Sequence, residues 1–165
     1  MSFNFVQSQQ FLLQENLLKI NIITPAVSFE KKLSEKNSLV IETGLSAGFN
    51  IRANETTYLF SPYILGQYRN YYNLIKRQKK NKSIAGNSGS FLAAHTSYYL
   101  LPLNNNKDFV STFDGLTIGV IWGFQKTYKV GLNLGANAGL GYNFSDNKEK
   151  GVLPIVNFSL GWLVF

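Results

Sequence analysis

The chain has 165 residues, enough for one domain, and its 16 Lys and Arg against 9 Asp and Glu give a net charge of +7. Charged residues are only 15% of the chain and aromatic residues another 15%, whereas average soluble domains carry about 25% charged residues. Cysteine is absent, which excludes disulfides, thiol nucleophiles and Cys-ligated zinc, and no apolar run approaches the roughly eighteen residues of a membrane-spanning helix.

Met1–Ser8 ends in Val6-x-Ser8, the small-residue form of a secretory cleavage site, but lacks a charged region and a full apolar stretch before it. Residues 1–8 are read as the remnant of a signal peptide, with a mature chain starting near Gln9, or as a disordered tail. Residues 9–165 form one domain under either reading.

From Leu17 the chain alternates, with Leu18, Ile20 and Ile22 on one side and Lys19 and Asn21 on the other. The phase flips after Thr24-Pro25, so that Val27 and Phe29 are apolar and Ser28, Glu30 and Lys32 polar. The flip predicts two short strands with a tight reversal between them; one long bulged strand is the alternative. After the polar turn Ser34–Asn37, Ser38–Arg52 sets Leu39, Ile41 and Leu45 against Val40, Glu42, Gly44 and Arg52. Tyr58–Asn73 follows, with Ile64 and Tyr68 on one face and Gln67, Arg69 and Tyr71 on the opposite one. The longest connection holds the basic run Lys76, Arg77, Lys79, Lys80 and Lys82, with a helical turn expected around Leu74–Lys79. Phe91–Leu101 is the next strand, followed by the polar loop Asn104–Asp108. In the strand after that, Leu116, Ile118, Val120, Trp122 and Phe124 alternate largely with glycine, and Gln125–Tyr128 is the expected turn.

Lys129–Phe144 gives the clearest signal. Its even positions are all apolar, and its odd positions are Gly, Asn and one Lys. Ordinary strands run about 5–6 residues, and a tilted transmembrane strand needs roughly 9–11. Were the apolar face interior, the wet surface would be Gly and Asn with almost no charge, unlike soluble surfaces. Small polar side chains suit a narrow lumen, and Leu, Val, Ala and an aromatic rim suit lipid. The even face is therefore expected to meet lipid. After the charged loop Ser145–Gly151, Val152–Phe165 closes the chain in the same two-faced pattern. The expectation is an all-β fold: a closed antiparallel up-and-down transmembrane β-barrel of about eight strands, an even number.

Lys19, Glu30, Glu42 and Arg69, with Arg52, fall on the expected lumen faces. An eight-stranded barrel has room only for its own side chains or one small ligand, so these charges are read as a structural network rather than an ion path. The basic run is read as a solvated turn, with phosphate head groups or an acidic partner as the functional alternative. The Tyr, Trp and Phe residues near strand ends, Tyr68, Tyr71, Tyr72, Trp122 and Trp162 among them, are read as interface girdles. No Gly-rich phosphate loop, His cluster or metal-ligand spacing occurs, so no cofactor and no metal are expected. Nor is nucleic acid expected, because the cations form one run rather than a face.

Lys19-x-Asn21, Ser28-Phe29-Glu30, Gln67-Tyr68-Arg69-x-Tyr71-Tyr72-Asn73-Leu74, Lys76-Arg77, Asn87-Ser88-Gly89 and the terminal Gly161-Trp162-Leu163-Val164-Phe165 resemble the small outer-membrane β-barrel proteins of Bacteroidota. The resemblance covers the chain from about Leu17. It implies residence in the cell outer membrane, with outer-membrane lipid and the barrel insertion machinery as partners. The terminal Phe165 resembles the insertion signal, although it falls in phase with the polar face.

His95, the sole histidine, and Ser97 point the same way on one strand. They are similar to the His-x-Ser pair of outer-membrane lipid A deacylases, which also use a downstream Glu. Here Tyr98 stands where that family has Asn, and no Glu lies between Glu55 and Glu149, leaving Asp108 and Asp114 as nearby acids. The expected function is non-enzymatic: a structural or accessory subunit of a larger outer-membrane protein complex. The alternatives are a lipid A-modifying enzyme using His95 and Ser97, and a small soluble or membrane ligand-binding barrel.

Overall fold

The computed structural model describes residues 12–52, 55–100, 115–144 and 150–164; from 48 to 59 it describes backbone only. The expected leader at residues 1–8, Asp108, Asp114, Glu149 and Phe165 lie outside the described residues, as does the side chain of Arg52.

Eight strands form one closed antiparallel barrel in which each strand pairs with its neighbours in sequence. They are β1 (Asn16–Asn21), β2 (Ala26–Lys32), β3 (Asn37–Arg52), β4 (Glu55–Tyr71), β5 (Gly89–Tyr99), β6 (Gly115–Thr127), β7 (Leu132–Asn143) and β8 (Gly151–Leu163). The fold expected from alternation is thus the one observed. Thr24-Pro25 sits in a reversal, so the change of phase marks two strands paired from Asn21↔Ala26 to Asn16↔Lys31, not one bulged strand.

Closure is made by the shortest seam. Lys19, Ile20 and Asn21 pair with Leu163, Trp162 and Gly161. The bonds Ile22 N→Leu160 O and Val164 N→Leu18 O, both 2.8 Å, extend the seam by one residue at each end. A closed sheet leaves no edge to template aggregation. β3 and β4 outrun their neighbours: β2 stops opposite Gly44 and β5 opposite Tyr63, while β3 and β4 stay paired out to Arg52↔Glu55.

Alternation sorts the side chains as the sequence pattern requires. Ile20, Val27, Ile41, Ile64, Leu92, Val120, Leu140 and Val156, at least one from every strand, are exposed on the outer surface. Lys19, Glu30, Gln67, His95, Gln125 and Asn133 are buried in the interior. The soluble-barrel alternative required the even positions of β7 to point inward; Leu134 and Leu140 point outward and Asn133 inward.

Three sequence readings need correction. Gln125–Thr127 is strand, and the turn is Tyr128–Gly131, closed by Tyr128 N→Leu132 O (2.8 Å) and Gly131 N→Tyr128 O (2.9 Å). Gly131 takes φ +82° there, a left-handed conformation that costs glycine little. Consequently β7 starts at Leu132 rather than Lys129; Val130 kept the apolar phase by coincidence and is exposed at the turn. Tyr71 is not a girdle residue: it is fully buried inside the barrel.

One rim of the barrel carries the segment before β1, the turns after β2, β4 and β6, and the end of β8. We call it the terminal rim. The β4–β5 connection folds over it as α1 (Leu74–Lys79), where the helical turn was expected, and a single 3-10 turn, Ala85–Asn87. Leu74 joins an interior apolar cluster with Leu13, Tyr71, Phe91, Ile121 and Ile155. Wall glycines make room for it: a Cβ on Gly123 would lie 2.6 Å from Phe91, and one on Gly141 2.8 Å from Ile155.

Candidate functional site

The interior is polar on its β1–β4 side, and Glu30 is the centre of that side. Its side chain is fully buried. A carboxylate carried that far from water must be met by donors and cations or it will not stay charged. Glu30 Oε1 accepts from Tyr71 OH at 2.7 Å, Ser38 Oγ at 2.8 Å and Asn87 Nδ2 at 3.0 Å. Its Oε2 lies 3.0 Å from Lys19 Nζ, 3.3 Å from Gln125 Nε2 and 3.6 Å from Arg69 Nη1. The donors come from β1, β3, β4, β6 and the 3-10 turn, so one carboxylate ties together most of the barrel's circumference.

Arg69 is held by four further groups, one of them the Tyr71 hydroxyl, which accepts from Nη1 at 3.4 Å. Its Nε donates to Gln67 Oε1 at 2.7 Å, its Nη1 donates to Gln125 Oε1 at 3.0 Å, and its guanidinium lies 4.4 Å from the centre of the Phe91 ring. Lys19 Nζ also donates to Gln125 Oε1, at 2.9 Å. The sequence placed Lys19, Glu30 and Arg69 together, and they are together. Glu42 belongs to a second group, accepting from Asn21 Nδ2 at 3.0 Å and Tyr63 OH at 2.8 Å.

Tyr71, Gln125, Ser38 and Asn87 were not among the expected network residues. Parity could have found Gln125, which continues the inward series of β6 once that strand is extended past Phe124. Asn87 is different. It sits in a connection, and only the fold of the β4–β5 segment carries it inward.

That segment closes the terminal rim. Gly86 adopts φ +57° and lies so close to Thr127 that an added Cβ would collide with the Thr127 side chain. Gln125 Nε2 donates to the carbonyls of Gly86 and Asn87, both at 3.1 Å. The residues before β1 lock onto the same turn: Gln14 N donates to Asn87 Oδ1 at 2.8 Å, and Gly86 N donates to Gln14 Oε1 at 3.1 Å. Leu13 is fully buried beneath them. Among the described residues, a cavity of about 30 Å³ is lined by Lys19, Glu42, Arg69, Asn133 and Asn137 among others. That is room for a water molecule or two.

His95 and Ser97 are both buried on the interior face of β5. His95 Nδ1 lies 3.2 Å from Gln67 Nε2, so the imidazole belongs to the chain His95–Gln67–Arg69–Gln125. No hydrogen bond joins His95 to Ser97 among the described residues. Among those residues no group of three or more His, Asp or Glu could hold a metal ion.

The basic run occupies α1 and the residues after it. Lys76, Lys79, Lys80 and Lys82 are exposed, and among the described residues none of them forms an ion pair. Arg77 is turned back on its own loop, donating to the Ser83 carbonyl from Nη2 at 2.8 Å.

No curated protein and no solved structure matches the chain. A family model described as "Protein of unknown function (DUF3575)" matches residues 1–152, from the start of the chain through β7 into the first residues of β8. The chain therefore belongs to the DUF3575 family.

Proposed function

We propose that this protein is an integral β-barrel of the cell outer membrane, non-enzymatic, serving as a structural or accessory subunit of a larger outer-membrane assembly. The observation that carries the reading is the pairing of an apolar outer surface with an interior whose terminal half is filled by polar side chains and the β4–β5 segment. Ile41, Ile64, Val120, Leu140, Val156 and Phe158 are each about half exposed or more, and such residues continue around the whole barrel. Monomeric soluble proteins rarely expose contiguous apolar patches above a few hundred Å². Hydrocarbon is the solvent this surface fits, and a closed sheet is one of the two structures that can cross it with every backbone group paired. The resemblance to Bacteroidota outer-membrane barrels supports the same compartment.

The interior argues for a scaffold rather than a pore, because the Glu30 network and the β4–β5 segment occupy the terminal half of the lumen. It also argues against the lipid A deacylase reading. His95 is engaged with Gln67, and both His95 and Ser97 face away from where acyl chains would lie. Partners would meet the rims and the projecting β3–β4 hairpin.

Cell fractionation on a density gradient tests the proposal. The full chain should sediment with outer-membrane markers, resist carbonate extraction and migrate faster on gels when unheated. Recovery in the soluble fraction would contradict it. Crosslinking in native outer membranes followed by pull-down would then identify the assembly.

A further inference from the structure

The terminal rim is one-sidedly basic. Lys31, Lys32 and Lys36 flank the β2–β3 turn, the α1 run projects beside β4 and β5, and Lys126 and Lys129 flank the β6–β7 turn. The acidic residues among the described part of this rim are Glu15 and Glu35. The positions of two aromatic residues show where these cations stand relative to the apolar surface. Trp122 Nε1 donates to Tyr72 OH at 2.7 Å on the outside of the barrel. Both rings are exposed, as is Ile75 on α1. Trp and Tyr are the side chains of the membrane–water boundary. α1 therefore leaves the wall at that boundary: Leu74 is anchored in the interior cluster, Ile75 faces outward, and Lys76, Lys79, Lys80 and Lys82 stand just beyond the apolar band. Two contacts hold it there, Ser90 N to Asn73 Oδ1 at 2.8 Å and the Arg77 bond to Ser83.

We propose that this rim binds the phosphates of anionic lipid headgroups in the leaflet on the terminal side. The inference rests on the membrane reading above. Lysines beside an anionic surface are drawn to it, and the four on and after α1 form no ion pair within the described protein. A soluble acidic partner would explain the charge but not its position beside Tyr72, Trp122 and Ile75.

The test uses the full chain folded into vesicles of phosphatidylcholine containing a minor fraction of spin-labelled phosphatidylglycerol or spin-labelled phosphatidylcholine. Motional restriction of each label reports its residence at the protein. We expect roughly tenfold selectivity for phosphatidylglycerol, reduced in high salt. It should be largely lost in K76Q/K79Q/K80Q/K82Q and kept in the matching Lys→Arg variant, which controls for misfolding. Equal restriction of both labels by wild-type protein, or unchanged selectivity in the Gln variant, would overturn the proposal. Capture of soluble polyglutamate by the rim without phosphatidylglycerol selectivity would also overturn it, in favour of an acidic partner. Folding into pure phosphatidylcholine, read by heat-modifiable migration, tests the membrane reading separately: a barrel that inserts but shows no selectivity defeats this inference alone.

Discussion

The Tyr71 hydroxyl donates to Glu30 Oε1 at 2.7 Å across a separation of 41 residues, joining the end of β4 to the middle of the interior. Tyr71 thereby belongs both to the polar network and, through its ring 5.4 Å from that of Phe91, to the apolar cluster. The Glu30 charge is tolerable only because its donors and cations are complete. Breaking a buried pair by removing one partner costs about 3–5 kcal/mol. Glu30→Gln should therefore lower the stability of the folded barrel to urea by about that amount. Tyr71→Phe should cost about 1–3 kcal/mol, the range for an orphaned buried group. Lys19→Met combined with Glu30→Gln should cost less than the sum of the single changes, since the second loss no longer strands a charge. Additivity would show the two residues to be independent.

Gly86 is the backbone hinge of the plug. Its left-handed φ and its contact with Thr127 leave no room for a side chain. Gly86→Ala should lower the unfolding midpoint and loosen the hold of Asn87 on Glu30. Hydrogen exchange would show it as faster exchange at Gly86 and Thr127 with the far halves of β3 and β4 unchanged. Unaltered protection at those amides would contradict the plug.

The Glu30 network and the β4–β5 segment occupy the terminal half of the lumen, so the proposed scaffold is expected to conduct no ions. Wild-type protein in planar bilayers should give no unitary conductance steps, whereas removing residues 84–88 together with Leu12–Gln14 should produce them. Steps from the intact chain would show that the Glu30 network opens.

His95→Ala and Ser97→Ala should leave the acyl pattern of lipid A unchanged in cells producing the protein, as read by mass spectrometry. Loss of an acyl chain that depends on Ser97 would restore the enzyme reading.

Much of this fold could be read from alternation alone. In β3 and β8 every second position is largely apolar and outward, with Val40 and Ile155 the apolar residues turned inward, and the flip at Thr24-Pro25 located the first reversal. The parity signal fails where a turn happens to preserve it: Val130 is apolar and in phase, which extends the pattern to Lys129, although the turn runs on to Gly131 at positive φ and β7 starts at Leu132. Lys19, Glu30 and Arg69 were found because charge on an inward position is rare enough to notice. Tyr71 was misread because an aromatic residue near a strand end suits a girdle, although its parity with Gln67 and Arg69 already turned it inward. Asn87 carries no periodic signal; its role depends on the folded path of a connection.

The central claim is that the even face of β7 meets hydrocarbon. Single spin labels placed along Leu132–Asn143, with the barrel in lipid vesicles, test it directly by comparing collision with oxygen and with a water-soluble nickel chelate. Oxygen access should peak at 134, 136, 138 and 140 with a period of two, and the odd positions should be shielded from oxygen. Even positions hidden from oxygen, with 133 and 137 open to nickel as in bulk water, would contradict the account.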